Sequence, residues 1–150
     1  MTRALVLALL ALALAGCGEA PPHVQAGDPA PAFTATDLEG EVRAFPADFA
    51  GRPVVLRFWA DWCPYCAPEM RAIEEVYREE RDTGLAVLAV NVGQDRDTAA
   101  SFMADLGVTY DGLLDPDSTV ARRYRVLALP TSFFVDRRGV VRGKILGEAD

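Results

Sequence analysis

Apolar residues are concentrated in short, dense runs along this 150-residue chain, with polar and turn-forming residues between them. Runs this apolar are typical of strands that are buried on both faces of a parallel or mixed sheet. Three such strands are predicted at residues 53–60, 85–92 and 131–136. Between the first two, residues 67–81 carry an apolar stripe at helical spacing among charged residues, which predicts an amphipathic helix. The stripe consists of Met70, Ile73, Val76 and Tyr77.

Weaker patterns predict the remaining elements. Alternation in residues 33–36 and 41–45 predicts a β-hairpin. Asp97 is expected to cap a helix over residues 98–106. The later elements are a short strand at 113–114, a short helix near 119–124 and an antiparallel strand at 140–146. The strand–helix–strand order predicts an α/β fold, with a mixed central sheet and helices on both of its faces.

Composition narrows the functional classes. The length suits one domain, and hydrophobic residues at 51% are enough for a core. The formal net charge is −7. An acidic surface of this kind argues against nucleic-acid binding.

The N-terminal residues 1–16 have the pattern of an export signal. Arg3 precedes a run of twelve Ala, Leu and Val residues at 4–15. That run is too short for a spanning helix of about 20 residues, but it fits the apolar region of a secretory signal. It ends in Leu-Ala-Gly-Cys at 14–17, which resembles the bacterial lipobox and implies cleavage before Cys17 and a lipid on its sulfur. The alternative is an ordinary signal peptide followed by an incidental cysteine.

A proline-rich segment follows the lipobox. Prolines at 21, 22, 29 and 31 favour extended polyproline geometry, so residues 17–32 are predicted to be a flexible tether. At about 3.1 Å per residue such a segment spans roughly 45 Å. His23 is expected to be a solvated tether residue. The folded domain is predicted to occupy residues 33–150.

The chemistry of the chain is concentrated in two cysteines at the junction of a strand and a helix. Cys63 ends the first apolar strand and Cys66 lies about one helical turn further on. A helix N-terminus carries unpaired N–H groups and about half a positive charge, so it favours a thiolate, which is the nucleophilic form. We expect Cys63 to be the exposed, attacking sulfur and Cys66 to resolve a mixed disulfide. Pro64 suits the first turn of the helix.

A zinc site and a structural disulfide both fit the cysteine pair less well. A zinc site needs four ligands, and the only other cysteine and the only histidine are Cys17 and His23, which lie in the leader and tether. A structural disulfide across so short a loop would restrict the unfolded chain little. No metal or cofactor is therefore expected, and the pair is interpreted as redox chemistry in an exported protein, where disulfides persist.

Residues 58–66, FWADWCPYC, resemble the active-site segment of the thioredoxin superfamily. The rest of the chain resembles its membrane-tethered, extracytoplasmic branch, typified by TlpA and ResA. The resemblance implies a thioredoxin-like fold with an N-terminal hairpin and an added helix and strand within residues 85–117. It also implies that Pro130 is cis and faces the cysteines, and that Leu129 offers backbone groups to an extended substrate.

The aromatic residues around the cysteines have separate expected roles. Trp59 is expected in the core. Trp62 is expected to cover the site, shielding the sulfur and touching substrate. The ring of Tyr65, between the cysteines, is expected to be exposed.

Proton handling is assigned by the same resemblance. Thioredoxin keeps a buried aspartate where this chain has Arg57, whereas TlpA and ResA relatives often carry a glutamate three residues after the second cysteine, which matches Glu69. That spacing puts Glu69 on the same helix face as Cys66. We expect Glu69 to relay protons for the pair, held by Arg57. The alternative is that Glu69 only favours the helix dipole.

The chain departs from the family at two points. Arg71 replaces a proline that kinks the helix of relatives, so a straighter helix is expected. Residues 148–150 cannot supply the relatives' terminal helix, so that helix is expected to be absent. Either the sequence is truncated, or a partner or second copy covers the exposed apolar sheet face.

The resulting functional prediction is a lipid-anchored thiol–disulfide oxidoreductase at the periplasmic side or cell surface. Its expected partners are disulfides of exported proteins, for instance in cytochrome c maturation or at copper-site thiols, and an upstream membrane dithiol donor. Pro64-Tyr65 resembles glutaredoxins and is close to DsbA-type oxidases, so a thiol oxidase or isomerase is one alternative. A Cu(I)-binding module is another, since two thiolates suit that ion. A peroxidase fits less well, and the oligomeric state is left open.

Overall fold

The computed structural model describes residues 23–147, so the predicted signal at 1–16, Cys17, the first part of the predicted tether at 18–22 and residues 148–150 lie outside the description. The strands are β1 (Phe33–Asp37), β2 (Val42–Phe45), β3 (Val54–Trp59), β4 (Ala86–Val92), β5 (Asp111–Asp115), β6 (Thr131–Val135) and β7 (Val141–Leu146). The α-helices are α1 (Cys66–Glu80), α2 (Arg96–Leu106) and α3 (Thr119–Arg123), and 3-10 turns occupy Ala47–Phe49 and Arg81–Thr83.

The strands form one mixed sheet in the order β2-β1-β5-β4-β3-β6-β7. The pairs β3–β4 and β4–β5 are parallel, and all other neighbours are antiparallel. The strand that leads to the cysteines, β3, is therefore central, between β4 and β6. This arrangement confirms the predicted thioredoxin-like α/β fold, including the N-terminal hairpin of β1 and β2.

Alternation along β3 divides the core between the two faces of the sheet. Val54, Leu56 and Phe58 belong to a cluster that also contains residues of α3. Trp59 belongs to a second cluster, on the face covered by α1 and α2. Helices therefore lie on both faces, as predicted.

The start of α2 differs from the prediction. The N-cap is Asp95, whose side chain accepts a hydrogen bond from the Thr98 backbone N–H at 2.8 Å. The predicted cap, Asp97, already lies within the first turn of the helix. Sequence alone did not discriminate between the two aspartates, because the choice depends on the extended backbone of Asp95 at the end of the preceding loop.

Part of the predicted tether packs against the domain. The backbone N–H of Gly27 donates to Val141 at 2.8 Å, and that of Ala30 donates to Gly139 at 2.8 Å. Val24 and Ala30 are buried in the core cluster of the α3 face. The predicted flexible tether is thus wrong for these residues, because prolines do not prevent isolated hydrogen bonds at the edge of a sheet. His23 is exposed, as expected.

An open groove of about 250 Å³ lies between α1 and the β6–β7 side of the sheet. Its lining is mostly apolar and includes Val76 and Phe134, which are 53% and 37% exposed. This groove is an apolar surface of the kind predicted for that face. No helix within residues 23–147 has the length and apolar character needed to cross a membrane.

Candidate active site

The two cysteines lie at the end of β3, as predicted. The chain turns after Trp59, and the backbone N–H of Cys63 donates to Ala60 at 3.2 Å. Cys66 then begins α1, and its N–H donates to the carbonyl of Cys63 at 3.1 Å. The two residues form a disulfide, with their Cα atoms 5.4 Å apart. Both sulfurs therefore lie at the N-terminal end of α1, the longest helix within residues 23–147.

Cys63 is less accessible than expected. It is 2% exposed, and Cys66 is fully buried. Both pack in the cluster that contains Trp59 and Met70. The expectation of an exposed Cys63 is wrong for this oxidised form, because the disulfide joins it to a partner inside the core. Cys63 is still the more exposed of the pair.

The residues around the cysteines present aromatic surface to solvent. Trp62 and Tyr65 are 68% and 54% exposed, and Pro64 between the cysteines is exposed as well. Trp59 is fully buried and stacks on Phe102, with ring centroids 5.1 Å apart. The expected core position of Trp59 and exposed ring of Tyr65 are confirmed. Contact of Trp62 with substrate stays a prediction.

The Leu129–Pro130 peptide bond is cis, as the resemblance implied. Leu129 packs against the cluster that contains both cysteines, and it lines a groove of about 280 Å³ together with Trp62 and the exposed Leu127. The segment is held in place by a hydrogen bond from Thr131 Oγ1 to the Ala128 carbonyl at 2.7 Å. The structure thus brings the second predicted half of the site beside the first.

A buried ion pair lies near the cysteines. Glu69 projects from the first turn of α1, and its Oε2 pairs with Nη1 of Arg57 on β3. The same Nη1 donates to Ser132 Oγ at 3.0 Å, while Nε and Nη2 of Arg57 have no partner among the described residues. Burial lowers the pKa of the Arg57 guanidinium, and the charge of Glu69 opposes that shift. The expected Arg57–Glu69 contact is confirmed, and the proton role of Glu69 stays a prediction.

Three residues that the sequence analysis did not select also meet here. Gln94, in the loop between β4 and α2, forms hydrogen bonds with Asp61 and with Asn91. One available signal was their position, since polar residues at the carboxyl ends of neighbouring parallel strands meet at one edge of a sheet. Asn91 is the residue before the last of β4 and lies directly beside Trp59 of β3.

Comparison with known proteins agrees with this geometry. The AhpC/TSA family model matches residues 26–144. The chain belongs to the AhpC/TSA family. Within the family it is similar to the thiol-disulfide oxidoreductase ResA of Geobacillus kaustophilus, at 36% identity over 124 residues, 83% of this chain and 71% of that protein. The ResA of Bacillus subtilis is 33% identical over 124 residues, 83% of this chain and 69% of that protein.

Solved structures resemble this AhpC/TSA family member closely. A Chlorobium tepidum protein assigned as thiol:disulfide interchange protein DsbE superposes with a TM-score of 0.79 at 31% identity, over 84% of this chain and 88% of that one. A secreted Mycobacterium tuberculosis disulfide oxidoreductase gives 0.68 at 27% identity, over 75% and 81% of the two chains. These similarities, together with the Cys63–Cys66 disulfide, identify the protein as a thiol–disulfide oxidoreductase.

Proposed function

We propose that this oxidoreductase is held at the outer side of a membrane by a lipid on Cys17 and reduces disulfides of exported proteins. The observation that carries the proposal is the Cys63–Cys66 disulfide at the start of α1, with Leu129 packed against the same cluster. Similarity to ResA and to a DsbE structure supports it. The substrates we propose are disulfides formed between the cysteines of apocytochrome c or of respiratory copper sites.

The exchange proceeds in two steps. The Cys63 thiolate attacks one sulfur of a substrate disulfide, that S–S bond breaks, and the electron pair leaves on the other substrate sulfur. Cys66 then attacks Cys63 in the mixed disulfide, which forms the Cys63–Cys66 bond and releases the second substrate thiolate. Two electrons have passed from protein to substrate, and an upstream dithiol donor in the membrane restores the reduced pair.

Cys66 must lose a proton before it attacks, and its surroundings are apolar. Cys66 belongs to the core cluster that contains Met70 and Trp59, and its side chain has no solvent exposure. Glu69 is the nearest carboxylate along the helix, and three residues on a helix share a face. In the proposed mechanism Glu69 takes this proton, and Arg57 holds the carboxylate in place.

Substrate docking is assigned to the exposed rim of the site. Leu129 supplies backbone groups that pair with an extended substrate segment, in the manner of an added strand. Trp62, Pro64 and Tyr65 supply the apolar contact area, and all three are exposed. Pro130 is cis and buried, so it is proposed to face the cysteines behind this rim and not to contribute exposed docking surface.

The direction of electron flow is tested by the reduction potential of the Cys63–Cys66 pair in glutathione buffers. A reductant is expected near the roughly −270 mV of thioredoxin, whereas a value near the roughly −120 mV of DsbA would show a thiol oxidase. Cu(I) competition is run in parallel, and stoichiometric copper binding without disulfide exchange would show a metal-binding module instead. The Cys66→Ser variant is expected to accumulate the mixed disulfide, and Cys63→Ser to abolish exchange.

The lipid anchor is tested separately. Cells that express the full chain are expected to carry it in the membrane fraction, and the Cys17→Ser variant is expected to be released from that fraction. Mass spectrometry of the mature N-terminus identifies the modification directly. An unmodified N-terminus on the wild-type chain would remove the anchor from the proposal and leave the redox chemistry intact.

A further inference from the structure

A three-residue amide and carboxylate cluster joins the cysteine turn to the loop after β4. The backbone N–H of Asp61 donates to Gln94 Oε1 at 3.0 Å, and Gln94 Nε2 donates back to Asp61 Oδ1 at 2.5 Å. Asn91 Nδ2 donates to the same Gln94 Oε1 at 2.9 Å. The side-chain amide of Gln94 therefore binds Asp61 at two points, one on the backbone and one on the side chain.

The residue bound in this way is central in the turn that carries the nucleophile. The turn from Ala60 to Cys63 is closed by the hydrogen bond between the Cys63 N–H and the Ala60 carbonyl, so Asp61 and Trp62 are its central residues. Trp62 points outward and Cys63 inward, at 68% and 2% exposure. A two-point contact to Asp61 restrains rotation of this turn, and with it the directions of Trp62 and Cys63.

At the end of the cluster opposite Asp61, Asn91 lies within the central sheet. Asn91 belongs to β4, lies beside Trp59 in the sheet register and is 1% exposed. Its Oδ1 has no hydrogen-bond partner among the described residues. The adjacent Gly93 N–H donates to the Asp115 carbonyl at 2.9 Å, which ties the loop to β5. The backbone that carries Gln94 is thus anchored to both β4 and β5.

We propose that Gln94 is a positioning residue for thiol–disulfide exchange. Acting through Asp61, it holds the turn so that Cys63 meets the incoming sulfur in line. The same contact keeps Trp62 at the edge of the groove that it lines with Leu129. This inference rests on the proposed exchange at Cys63. Thiol–disulfide exchange needs reacting atoms held in near-attack geometry, and small misplacements of catalytic groups cost large factors in rate.

The test is a swap of the two interacting groups. Gln94→Glu keeps an acceptor for the Asp61 N–H but loses the donor and sets two carboxylates against each other, which repel. In the double variant Gln94→Glu with Asp61→Asn, the new amide at position 61 donates to the new carboxylate at position 94. The two-point contact is rebuilt: the backbone N–H of residue 61 still donates to residue 94, and only the side-chain hydrogen bond is reversed.

The measured quantity is the rate constant for reaction of each reduced protein with oxidised glutathione at 25 °C. Circular dichroism at the same temperature checks that each variant is folded. Gln94→Glu is expected to react about tenfold more slowly than wild type, and the double variant to recover to within about twofold. Gln94→Ala, which cannot form either bond, is expected to match the slow variant and replaces it if Gln94→Glu does not fold. Asp105→Ala, an exposed change on α2, is the control for substitution in this region.

Two results would overturn the positioning role. The first is a single Gln94 variant that is folded and reacts at the wild-type rate. The second is a folded double variant that stays slow, because the lost rate would then not come from the Asp61 contact. Failure of the proposed function has a separate signature, namely exchange that persists in Cys63→Ser.

Discussion

Arg57 and Glu69 form an ion pair beneath the first turn of α1, with the arginine 1% exposed and the glutamate 9% exposed. The pair joins the central strand that leads to Cys63 with the helix that begins at Cys66. A buried pair is neutral overall, so it places charge near the cysteines without adding net charge. Its effect on the thiols is therefore visible only when one partner is removed.

Removing the charge of Glu69 is expected to make the cysteine pair more acidic. In Glu69→Gln the guanidinium of Arg57 remains, and a nearby cation without its counter-charge favours a thiolate. The pH profile for alkylation of Cys63 by iodoacetamide should move to lower pH by about one unit. Glu75→Gln, an exposed change on the same helix, is the control. Identical profiles for both variants and wild type would dispose of the proton role of Glu69.

The ion pair is expected to show strong coupling in a double-mutant cycle. Arg57→Met removes the cation that compensates the buried Glu69 carboxylate and should lower the free energy of unfolding by about 3–5 kcal/mol. The double change Arg57→Met with Glu69→Met removes both charges and should cost much less than the sum of the single changes. Urea unfolding of the four proteins gives the coupling, and additive single effects would show that the pair contributes no interaction energy.

Glu74 is expected to give pH-dependent stability. Its carboxylate accepts hydrogen bonds from Thr109 N at 2.8 Å, Thr109 Oγ1 at 2.8 Å and Arg78 Nε at 2.6 Å. Burial acts to raise the pKa of Glu74, but these bonds outweigh it, so the folded-state pKa is lowered. The unfolded chain therefore binds this proton more tightly than the folded protein does. The stabilisation from ionised Glu74 is fully present above the unfolded pKa of about 4.3, and it is lost as the pH falls through the folded-state pKa.

The corresponding variant is Glu74→Gln. At pH 7 it should lower the free energy of unfolding by about 1–3 kcal/mol, because the donors of Thr109 and Arg78 lose a charged acceptor. The difference from wild type should narrow steadily below about pH 4.3. Urea unfolding across this range measures it, with Glu75→Gln as the exposed control. A difference that is constant with pH would contradict the assignment.

Gly112 on β5 is expected to tolerate no side chain. A Cβ there would lie 2.7 Å from Leu38 Cδ1 and 2.7 Å from Met103 Sδ. Gly112→Ala should therefore cost about 1–3 kcal/mol through overpacking. Gly143→Ala is the matched change on β7, where the nearest atom is Phe134 Cδ2 at an ordinary 3.6 Å. Thermal unfolding compares the two, and equal melting temperatures would contradict the packing argument.

The local hydrophobic pattern of the sequence was sufficient to predict the framework of the site. The dense apolar run of β3 and the amphipathic stripe of α1 have different periods, and the change of period lies at the two cysteines. That is why the strand, the helix and the position of the disulfide between them were all predictable. Glu69 was selected by the family resemblance, and its spacing to Cys66 then predicted the helix face on which it lies.

Features that depend on contacts between distant segments were harder to predict from the sequence. The docking of residues 24–30 on β7 needed the strand order, because nothing near the prolines indicates which edge they meet. The cap at Asp95 depended on the course of a loop, and the burial of Cys63 on the cluster around it. Gln94 was not selected at all, since its two partners come from the ends of two different strands.

Residue order along the chain therefore established which groups carry the chemistry, because the thiols, their spacing and their place between strand and helix are local properties. Packing of the seven strands established how those groups are held. Exposure, ion pairing and hydrogen bonding depend on which segments become neighbours, and such neighbours are chosen by burial of the whole apolar surface rather than by adjacent residues.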